Sequence, residues 1–366
     1  MYALKTLLDR PLRFVLTVIG VALCIVLMLF LLSVYRGVAD GSVEYVRVSD
    51  ADLWVMQRHA TNILRCTSLL TMRHGEAIRS AAGVDSVAPI LFILATVQIK
   101  GQPATLYITG YDRATGRGGP PALVQGEAPA GPGEIVIDRS FAAKHGVRVG
   151  DRLPVKDDTL TVVGLSAGTN MFVIQYAFVT LEQAQAIAGY PNMVSCFQVR
   201  TAAGADPGTV RRDIEQAMPD IAVYDRETFL ANNVREMESG FLPLLYVVAL
   251  ISAVVLTAIL SLILSVNVLE RRNDFAIMKA LGAPGGFIPG LVVRQALIIS
   301  GTGMVVALLS FFPLIRAVEH WAPEVSTVIT PGQLALVALA TVVIGLISSI
   351  IPNQTLRHVY PLEVFK

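Results

Sequence analysis

A serine in a glycine-bracketed motif is the first candidate for chemistry in this chain. Residues 164–168 read GLSAG and match GxSxG, in which a nucleophilic serine occupies a sharp turn between a strand and a helix. An apolar, strand-like run precedes Ser166, but residues 169–180 favour another strand where the motif requires a helix. We therefore interpret the motif as a Gly-rich turn between two strands, which disfavours a membrane-anchored hydrolase that uses Ser166.

Other catalytic signatures are absent from the sequence. It has no GxxxxGK[ST] loop, the backbone cradle with which many ATPases hold phosphate, and no HExxH zinc motif. Its five histidines are scattered. We expect no catalytic residue, metal site or cofactor in this chain. Of its three cysteines, Cys24 lies in an apolar run, while the spacing of Cys66 and Cys196 is compatible with one disulfide in an oxidising compartment or with two unpaired thiols.

Four long stretches without a charged residue dominate the chain. The 366 residues are 54% hydrophobic and 16% charged, against about 25% charged residues in ordinary soluble domains. A helix needs about 20 mostly apolar residues to cross a bilayer. The uncharged stretches cover residues 14–35, 239–269, 295–315 and 325–356. They predict a membrane protein with four transmembrane α-helices and one α+β extracytoplasmic domain between spans one and two.

Basic residues beside the predicted spans indicate the topology. Lys5, Arg10 and Arg13 precede the first span, and Arg271 and Arg272 follow the second. The positive-inside rule then places both termini and the loop after the second span in the cytoplasm, with the chain in the inner (cytoplasmic) membrane. The first span is too long for a signal-peptide core and has no small-x-small cleavage site, so we expect an uncleaved anchor.

The predicted segments follow from these runs and charges. They are a cytoplasmic N-terminus (1–13), the first span (14–35), the extracytoplasmic domain (36–240), the second span (241–268), a cytoplasmic coupling helix and loop (269–286), the third span (287–315), a short outer loop (316–328), the fourth span (329–352) and a cytoplasmic C-terminus (353–366). The net charge of +1 gives no indication of a nucleic-acid partner.

Patterns in the large domain predict its local structure. Alternation favours a strand over residues 44–57, and two apolar runs, 84–99 and 104–111, flank a turn and predict a hairpin. Gly146 should end a short helix. Residues 226–240 favour a helix that continues into the second span, which would connect that span stiffly to the large domain.

The loop after the second span carries the most specific pattern. Phe275, Met278 and Leu281 recur at a spacing of three, which places them along one side of a short helix. Gly282 and Pro284 should end that helix. A short amphipathic helix of this kind can lie on the lipid surface or dock in a groove of a partner protein, and composition alone does not choose between them.

The loop, LERRNDFAIMKALGA at 269–283, resembles that of the MacB/FtsX/LolC superfamily of ABC transporter permeases. PGEIVIDRSFAAKHGVRVGDRL (132–153) resembles the MacB-like periplasmic core of these permeases, and the terminal YPLEVFK resembles their usual ending. The order of one span, a large domain and three further spans is the superfamily plan. DADLWVMQ, ATNIL, FAIMKALGA and RQALIIS resemble the DevC-like branch, which is associated with glycolipid export in heterocyst-forming cyanobacteria. Gly285-Gly286 departs from the polar or basic residues that members often carry there, which could weaken or reshape the ATPase contact.

The resemblance implies the permease of an ABC exporter for an amphipathic substrate, such as a glycolipid or another hydrophobic compound. A separate ABC ATPase would bind ATP and Mg²⁺, and ATP-driven closure would move the spans and the outer domain. Further implied partners are a second permease copy, in a homodimer or a heterodimer, a periplasmic adaptor (membrane fusion) protein and membrane lipids, with no nucleic acid. The alternative is an FtsX-like signalling subunit that regulates an extracytoplasmic enzyme without transport. The implied ATPase-coupling residues are Glu270, Arg271, Arg272, Asp274, Phe275, Met278, Lys279, Leu281 and Gly282.

Overall fold

The computed structural model describes residues 11–64, 67–170, 174–240, 242–323, 325 and 327–357. Its chain divides into two units. The membrane unit comprises Met1–Arg36, Pro243–Val318 and Thr327–Lys366. The large domain comprises Gly37–Leu242 together with Glu319–Ser326.

Helices make up the membrane unit and part of the large domain. In chain order they are α1 (Pro11–Val48), α2 (Met72–Arg79), α3 (Arg139–His145), α4 (Leu181–Ala188), α5 (Pro207–Ala217), α6 (Arg226–Ser239), α7 (Leu242–Glu270), α8 (Arg272–Ala280), α9 (Phe287–Trp321), α10 (Pro331–Ser348) and α11 (Ile350–Arg357).

Four helical segments of the described residues are long and apolar enough to cross a membrane. They are Pro11–Gly41, Pro243–Glu270, Phe287–Trp321 and Pro331–Gln354. The prediction of four spans is confirmed, because each uncharged stretch of the sequence lies largely within one of these segments. Helix α9, which contains the third span, continues to Trp321, beyond the predicted end of that span at residue 315.

Small residues let the membrane-spanning helices approach closely. A Cβ atom added to Gly303 of α9 would lie 2.5 Å from Val21 Cγ1 of α1, and one added to Gly345 of α10 would lie 2.9 Å from Ser300 Oγ of α9. Lipid offers no hydrophobic driving force between helices, so close van der Waals packing of this kind holds them together. These contacts fix α9 between α1 and α10.

The large domain contains the strands β1 (Leu53–Gln57), β2 (Leu70–Thr71), β3 (Val84–Ile99), β4 (Gln102–Tyr111), β5 (Leu123–Gly126), β6 (Glu134–Asp138), β7 (Arg152–Val155), β8 (Asp158–Ser166), β9 (Gln175–Thr180), β10 (Met193–Val194), β11 (Cys196–Thr201) and β12 (Ile221–Asp225). Ten of them form a mixed sheet in the order β12-β1-β11-β3-β4-β9-β6-β8-β5, with β7 pairing with β3 and β8. A small second sheet pairs β10 with β2.

Two turn predictions in the large domain are confirmed. The β3–β4 hairpin pairs Ile99 with Gln102 across a two-residue turn in which Lys100 and Gly101 both have positive φ, at 50° and 79°. This is the mirror-image turn whose twist suits an antiparallel pair. Gly146 ends α3 in the left-handed conformation, with φ 63°.

The strand predicted over residues 44–57 is wrong in its first half. Helix α1 continues to Val48, and only Leu53–Gln57 form a strand. Extending a helix adds one hydrogen bond for each residue fixed, so a long span is an easy nucleus to elongate. Arg47 supports the extension through ion pairs with Glu44 (3.0 Å) and Asp40 (3.2 Å) on the same helix. At a rise of about 1.5 Å per residue, the 38 residues of α1 form one helix about 57 Å long.

The predicted continuity between residues 226–240 and the second span is also wrong. Helix α6 ends at Ser239, and Gly240 has φ −87° and ψ −125°, which is not helical. Glycine adopts such a backbone at low steric cost because it has no Cβ atom. Helix α1 is unbroken across the boundary between the two units at Arg36 and Gly37, whereas the chain that enters the second span is interrupted at Gly240.

Candidate functional site

The loop between the second and third spans folds as the short helix α8. Only Arg271 separates α7 from α8, and the amide of Phe275 donates a hydrogen bond to the carbonyl of Arg271 at 3.1 Å. Gly282 has φ 87°, and the amide of Ala283 donates to the Met278 carbonyl at 3.0 Å. This is the glycine-terminated helix end that the sequence predicts.

One side of α8 is buried inside the membrane unit. Phe275 is 3% exposed and belongs to the same hydrophobic cluster as Val268 of α7 and Ile288 of α9. Ala276 is also buried, and Met278 is partly buried against that cluster. Phe275 and Met278 therefore attach α8 to the spans, and little of their surface is left for contact with a partner protein. Of the three apolar residues that the spacing of three places on one side, only Leu281 is largely exposed.

The opposite side of α8 is exposed. Asn273, Ile277 and Leu281 follow one another at a spacing of four, and all three are exposed, Leu281 to 83% and Ile277 to 48%. Arg272 and Asp274 are exposed beside them. We call Asn273, Ile277 and Leu281 the exposed row. Two apolar residues bordered by charged ones are typical of a helix that docks in a groove of a partner.

Among the predicted coupling residues, Glu270 forms an ion pair within the unit. Its Oε2 lies 2.7 Å from Arg13 Nη1, at the start of α1. Both side chains are partly exposed, at 34% and 43%, so the pair adds little stability. It does show that the first helical turn of α1 and the end of α7 meet at the end of the unit that carries α8.

The remaining predicted residues lie on or beside α8. Lys279 falls in its last turn, and Gly282 terminates it. Gly285 and Gly286, where the sequence departs from the superfamily pattern, have open space around the position of a Cβ atom. Larger side chains would fit there, so packing against the described residues does not require glycine at either position.

Ser166 of the GxSxG motif is a structural residue. It is the last residue of β8 and is fully buried, so the predicted turn begins only after it, at Ala167. The next described element is the strand β9 and not the helix that a nucleophile elbow requires. Thr169 Oγ1 donates its proton to Asp138 Oδ2 at 2.6 Å, so Ser166 Oγ donates to Thr169 Oγ1 at 2.8 Å. The described hydrogen bonds of Ser166 involve no histidine, and a buried hydroxyl of this kind offers no nucleophile to a substrate.

The described part of the chain contains no group of three or more His, Cys, Asp or Glu side chains that could hold a metal ion. Cys196 is buried with a free thiol, and burial raises the pKa of that thiol well above its ordinary value. Its possible disulfide partner, Cys66, lies outside the described residues. A buried thiol that stays protonated is a poor nucleophile.

Two family models match the chain along most of its length. The model of the MacB-like periplasmic core domain matches residues 14–217, more than half of the chain. The FtsX-like permease C-terminal model matches residues 246–361, which include α8, most of the second span and the third and fourth spans. The chain is an ABC transporter permease of the MacB/FtsX/LolC superfamily. Its place in the DevC-like branch stays a prediction.

Relatives of this permease come from bacteria and archaea. The uncharacterised ABC transporter permease Rv0072 of Mycobacterium tuberculosis is 25% identical over 367 residues, which cover 99% of this chain and 98% of the relative. The uncharacterised ABC transporter permease MJ1507 of Methanocaldococcus jannaschii is 22% identical over 396 residues, which cover 100% of this chain and 96% of the relative.

Two solved structures are similar to part of the permease. The periplasmic region of MacB from Actinobacillus actinomycetemcomitans gives a TM-score of 0.39 at 10% identity, over 53% of this chain and 96% of that one. The extracellular domain of the transporter YknZ from Gram-positive bacteria gives 0.39 at 11% identity, over 48% of this chain and 100% of that one.

Sequence reasoning missed two features of the permease loop. The spacing of three selects Phe275 and Met278 and leaves out Ile277, whose side chain is 48% exposed on the other side of α8. The pairing of Arg13 with Glu270 joins residues 257 positions apart, and nothing local signals it. The i, i+4 relation of Ile277 and Leu281 was the available signal for the first.

Proposed function

We propose that this permease converts ATP hydrolysis by a separate ABC ATPase into motion of its large domain and thereby exports an amphipathic, lipid-like substrate. The observation that carries the proposal is the exposed row on α8, whose opposite side is anchored in the core of the spans by Phe275. A helix fixed on one side and exposed on the other can receive force from a partner and pass it to the helices around it.

The exposed row is suited to bind the ATPase. Short helices dock in grooves through a few apolar anchors at spacings of three or four, and Ile277 and Leu281 have that spacing. Charged neighbours such as Arg272 and Asp274 can set the orientation and steer encounter. We retain these residues, with Arg271, Lys279 and Gly282, in the proposed contact and assign Phe275, Met278 and Glu270 to the attachment of α8 within the unit.

A stiff element for transmitting the motion is α1. It begins at Pro11, pairs with the end of α7 through Arg13 and Glu270, and continues without a break to Val48 in the large domain. Packed helices shift as discrete bodies, so a displacement at α8 can reach α1 through the shared hydrophobic cluster. This replaces the route through the second span that the sequence suggested.

The energy source and the location follow from sequence features. The chain lacks a phosphate-binding loop, and its four uncharged stretches contain no ionisable side chain of the kind that marks an ion pathway. Arg13, Arg271 and Arg272 gather near one end of α1 and α7, which supports a cytoplasmic position for α8 in the inner membrane. We infer a second permease copy as the dimer partner and a periplasmic adaptor at the large domain.

Reconstitution tests this function. The permease and its ATPase would be placed together in proteoliposomes that contain a fluorescent short-chain glycolipid as the transport probe. We expect ATP hydrolysis only when the ATPase is present, a complex with two copies of each subunit, and ATP-dependent transfer of the probe out of the bilayer. An ATPase variant that binds but does not hydrolyse ATP is the control. ATP hydrolysis by the isolated, contaminant-free permease would contradict the assignment of the energy source. Coupled hydrolysis without movement of any lipid-like probe would contradict export.

A further inference from the structure

A polar pocket lies in the large domain beside the end of α1. Its volume is about 440 Å³, within the range of small-molecule sites. The end of α1, the residues that follow it up to Asp50 and the Gly-rich loop 115–121 form its walls, and Gln198 of β11 lies at its base. All of these residues belong to the large domain, so the pocket does not depend on how the two units are arranged.

Gln198 is a buried amide without a hydrogen-bond partner. It is 1% exposed, and neither its Nε2 nor its Oε1 forms a hydrogen bond with a described residue. The Tyr45 hydroxyl lies close to it, but that hydroxyl donates its proton to the Gly118 carbonyl at 2.8 Å. Trp54, the cross-strand neighbour of Gln198 on β1, also has an unpaired Nε1. Burying an unpaired polar group lowers stability, so a position that keeps one is a candidate for a functional site.

The charged groups at the pocket already pair with one another. Asp50 Oδ2 lies 3.3 Å from Arg117 Nε and 3.6 Å from Arg200 Nη1. The Asp50 side chain is 53% exposed, so its carboxylate stays accessible to a ligand. A ligand with a net charge would be repelled by either the carboxylate or the guanidinium groups. A hydroxyl both donates and accepts, and it can therefore bond to either kind of group and to the amide of Gln198.

Three apolar residues complete the wall of the pocket. Val48 is 49% exposed, and Pro120 and Pro121 are half-buried. The aromatic ring in the lining, Tyr45, is 4% exposed and offers no open face on which a flat base could stack. Small apolar surfaces of this kind suit the C–H face of a saturated ring that carries hydroxyls on its edge.

We propose that this pocket binds a neutral sugar ring, which Gln198 and Asp50 hold by hydrogen bonds and Val48 contacts through its apolar side chain. An amide presents a donor and an acceptor side by side, and two adjacent hydroxyls of a pyranose satisfy both together. The ring can belong to a soluble glycan or to the head of a glycolipid, and the pocket recognises what the two share. The proposal goes beyond the proposed function, because a sugar site in the large domain holds whether or not the permease exports a lipid.

Saturation-transfer NMR tests the proposal on the full-length permease in phosphatidylcholine nanodiscs, without ATPase or ATP. The probes are glucose, galactose and mannose. We expect saturation to reach the ring protons of at least one of these hexoses. Displacement of that hexose by its soluble oligosaccharide would identify a glycan as the source, and displacement by its diacylglycerol glycoside placed in the nanodisc would identify a glycolipid head. Because no ATP is present, loss of transport with retained sugar binding would contradict only the proposed function.

Gln198→Met keeps the length of the side chain and removes the amide. It should abolish saturation transfer and raise the melting temperature, since it deletes an unpaired buried polar group. Asp50→Asn should weaken sugar binding about tenfold, as a charge-assisted hydrogen bond becomes a neutral one. Gln98→Met is the matched control, because Gln98 is exposed on β3 of the same sheet, and it should bind sugar as the wild type does.

Two results would overturn the proposal. One is the absence of transfer from the wild type to any of the hexoses. The other is a Gln198→Met variant that melts at a lower temperature and still binds sugar, because Gln198 would then support only the fold.

Discussion

Leu281→Asp should weaken binding of the ATPase to the permease without lowering the stability of the permease itself. Leu281 is 83% exposed and lies just after α8, so the free energy of unfolding should change by less than about 0.5 kcal/mol. In a docked complex, losing one apolar anchor costs about 2 kcal/mol. Desolvating the new carboxylate adds about 1–3 kcal/mol. The sum of about 3–5 kcal/mol corresponds to binding weakened by roughly 10²-fold to several thousand-fold.

The choice of residue matters for this test. Met278→Asp would place a carboxylate against the hydrophobic cluster of the spans, so a lost interaction with the ATPase would not be distinguishable from a damaged permease. Phe275→Ala should lower the stability of the permease by about 3–5 kcal/mol, since it empties a buried aromatic position. Leu281→Asp avoids that ambiguity because its side chain packs against so little of this chain.

The assay is co-purification of the ATPase with permease held in nanodiscs, together with a thermal melt of each variant. Val124→Asp is the matched control, because Val124 is an exposed apolar residue (54%) on β5 of the large domain. We expect it to retain the ATPase and Leu281→Asp to lose it, with equal melting temperatures. Wild-type recovery of the ATPase by Leu281→Asp, with ATP-dependent function intact, would refute the role of the exposed row in coupling.

Three further predictions concern topology, the GxSxG motif and packing in the membrane. A cysteine at Gly131 should react with an impermeant thiol reagent in spheroplasts and one at Asn273 should not, because positive charges flank the loop after the second span; the reverse pattern would invert the topology. Ser166→Ala should preserve function while lowering the stability of the large domain by about 1 kcal/mol, the typical contribution of one buried hydrogen bond. Labelling of Ser166 by a fluorophosphonate probe would instead support the hypothesis of a hydrolase. Gly303→Val should destabilise the membrane unit by about 1–3 kcal/mol in a detergent melt, because its Cβ atom would meet a side chain of α1 at 2.5 Å, whereas Gly301→Val should have no such effect.

The two wrong structural predictions share a cause. Residues 44–48 alternate well enough for a strand, yet they continue α1 because the helix before them is already formed and each added residue gains a hydrogen bond. Residues 226–239 are helical, as predicted, but Gly240 breaks the continuity with α7. A sequence window shows which conformations a segment tolerates, while the neighbouring elements choose among them.

Short stretches of sequence were enough to predict the four spans, the β3–β4 hairpin and the glycine ends of α3 and α8, and they show that the chain has no phosphate-binding loop. Each is encoded within a few residues or by one long uncharged run, since a bilayer demands about 20 apolar residues in succession. The packing of the helices sets which side of α8 contacts the spans, brings Arg13 to Glu270 and leaves a groove at Gly20 between α1 and α7. These features join residues that are far apart in the chain, so they depend on how the helices pack, and no local pattern records that packing.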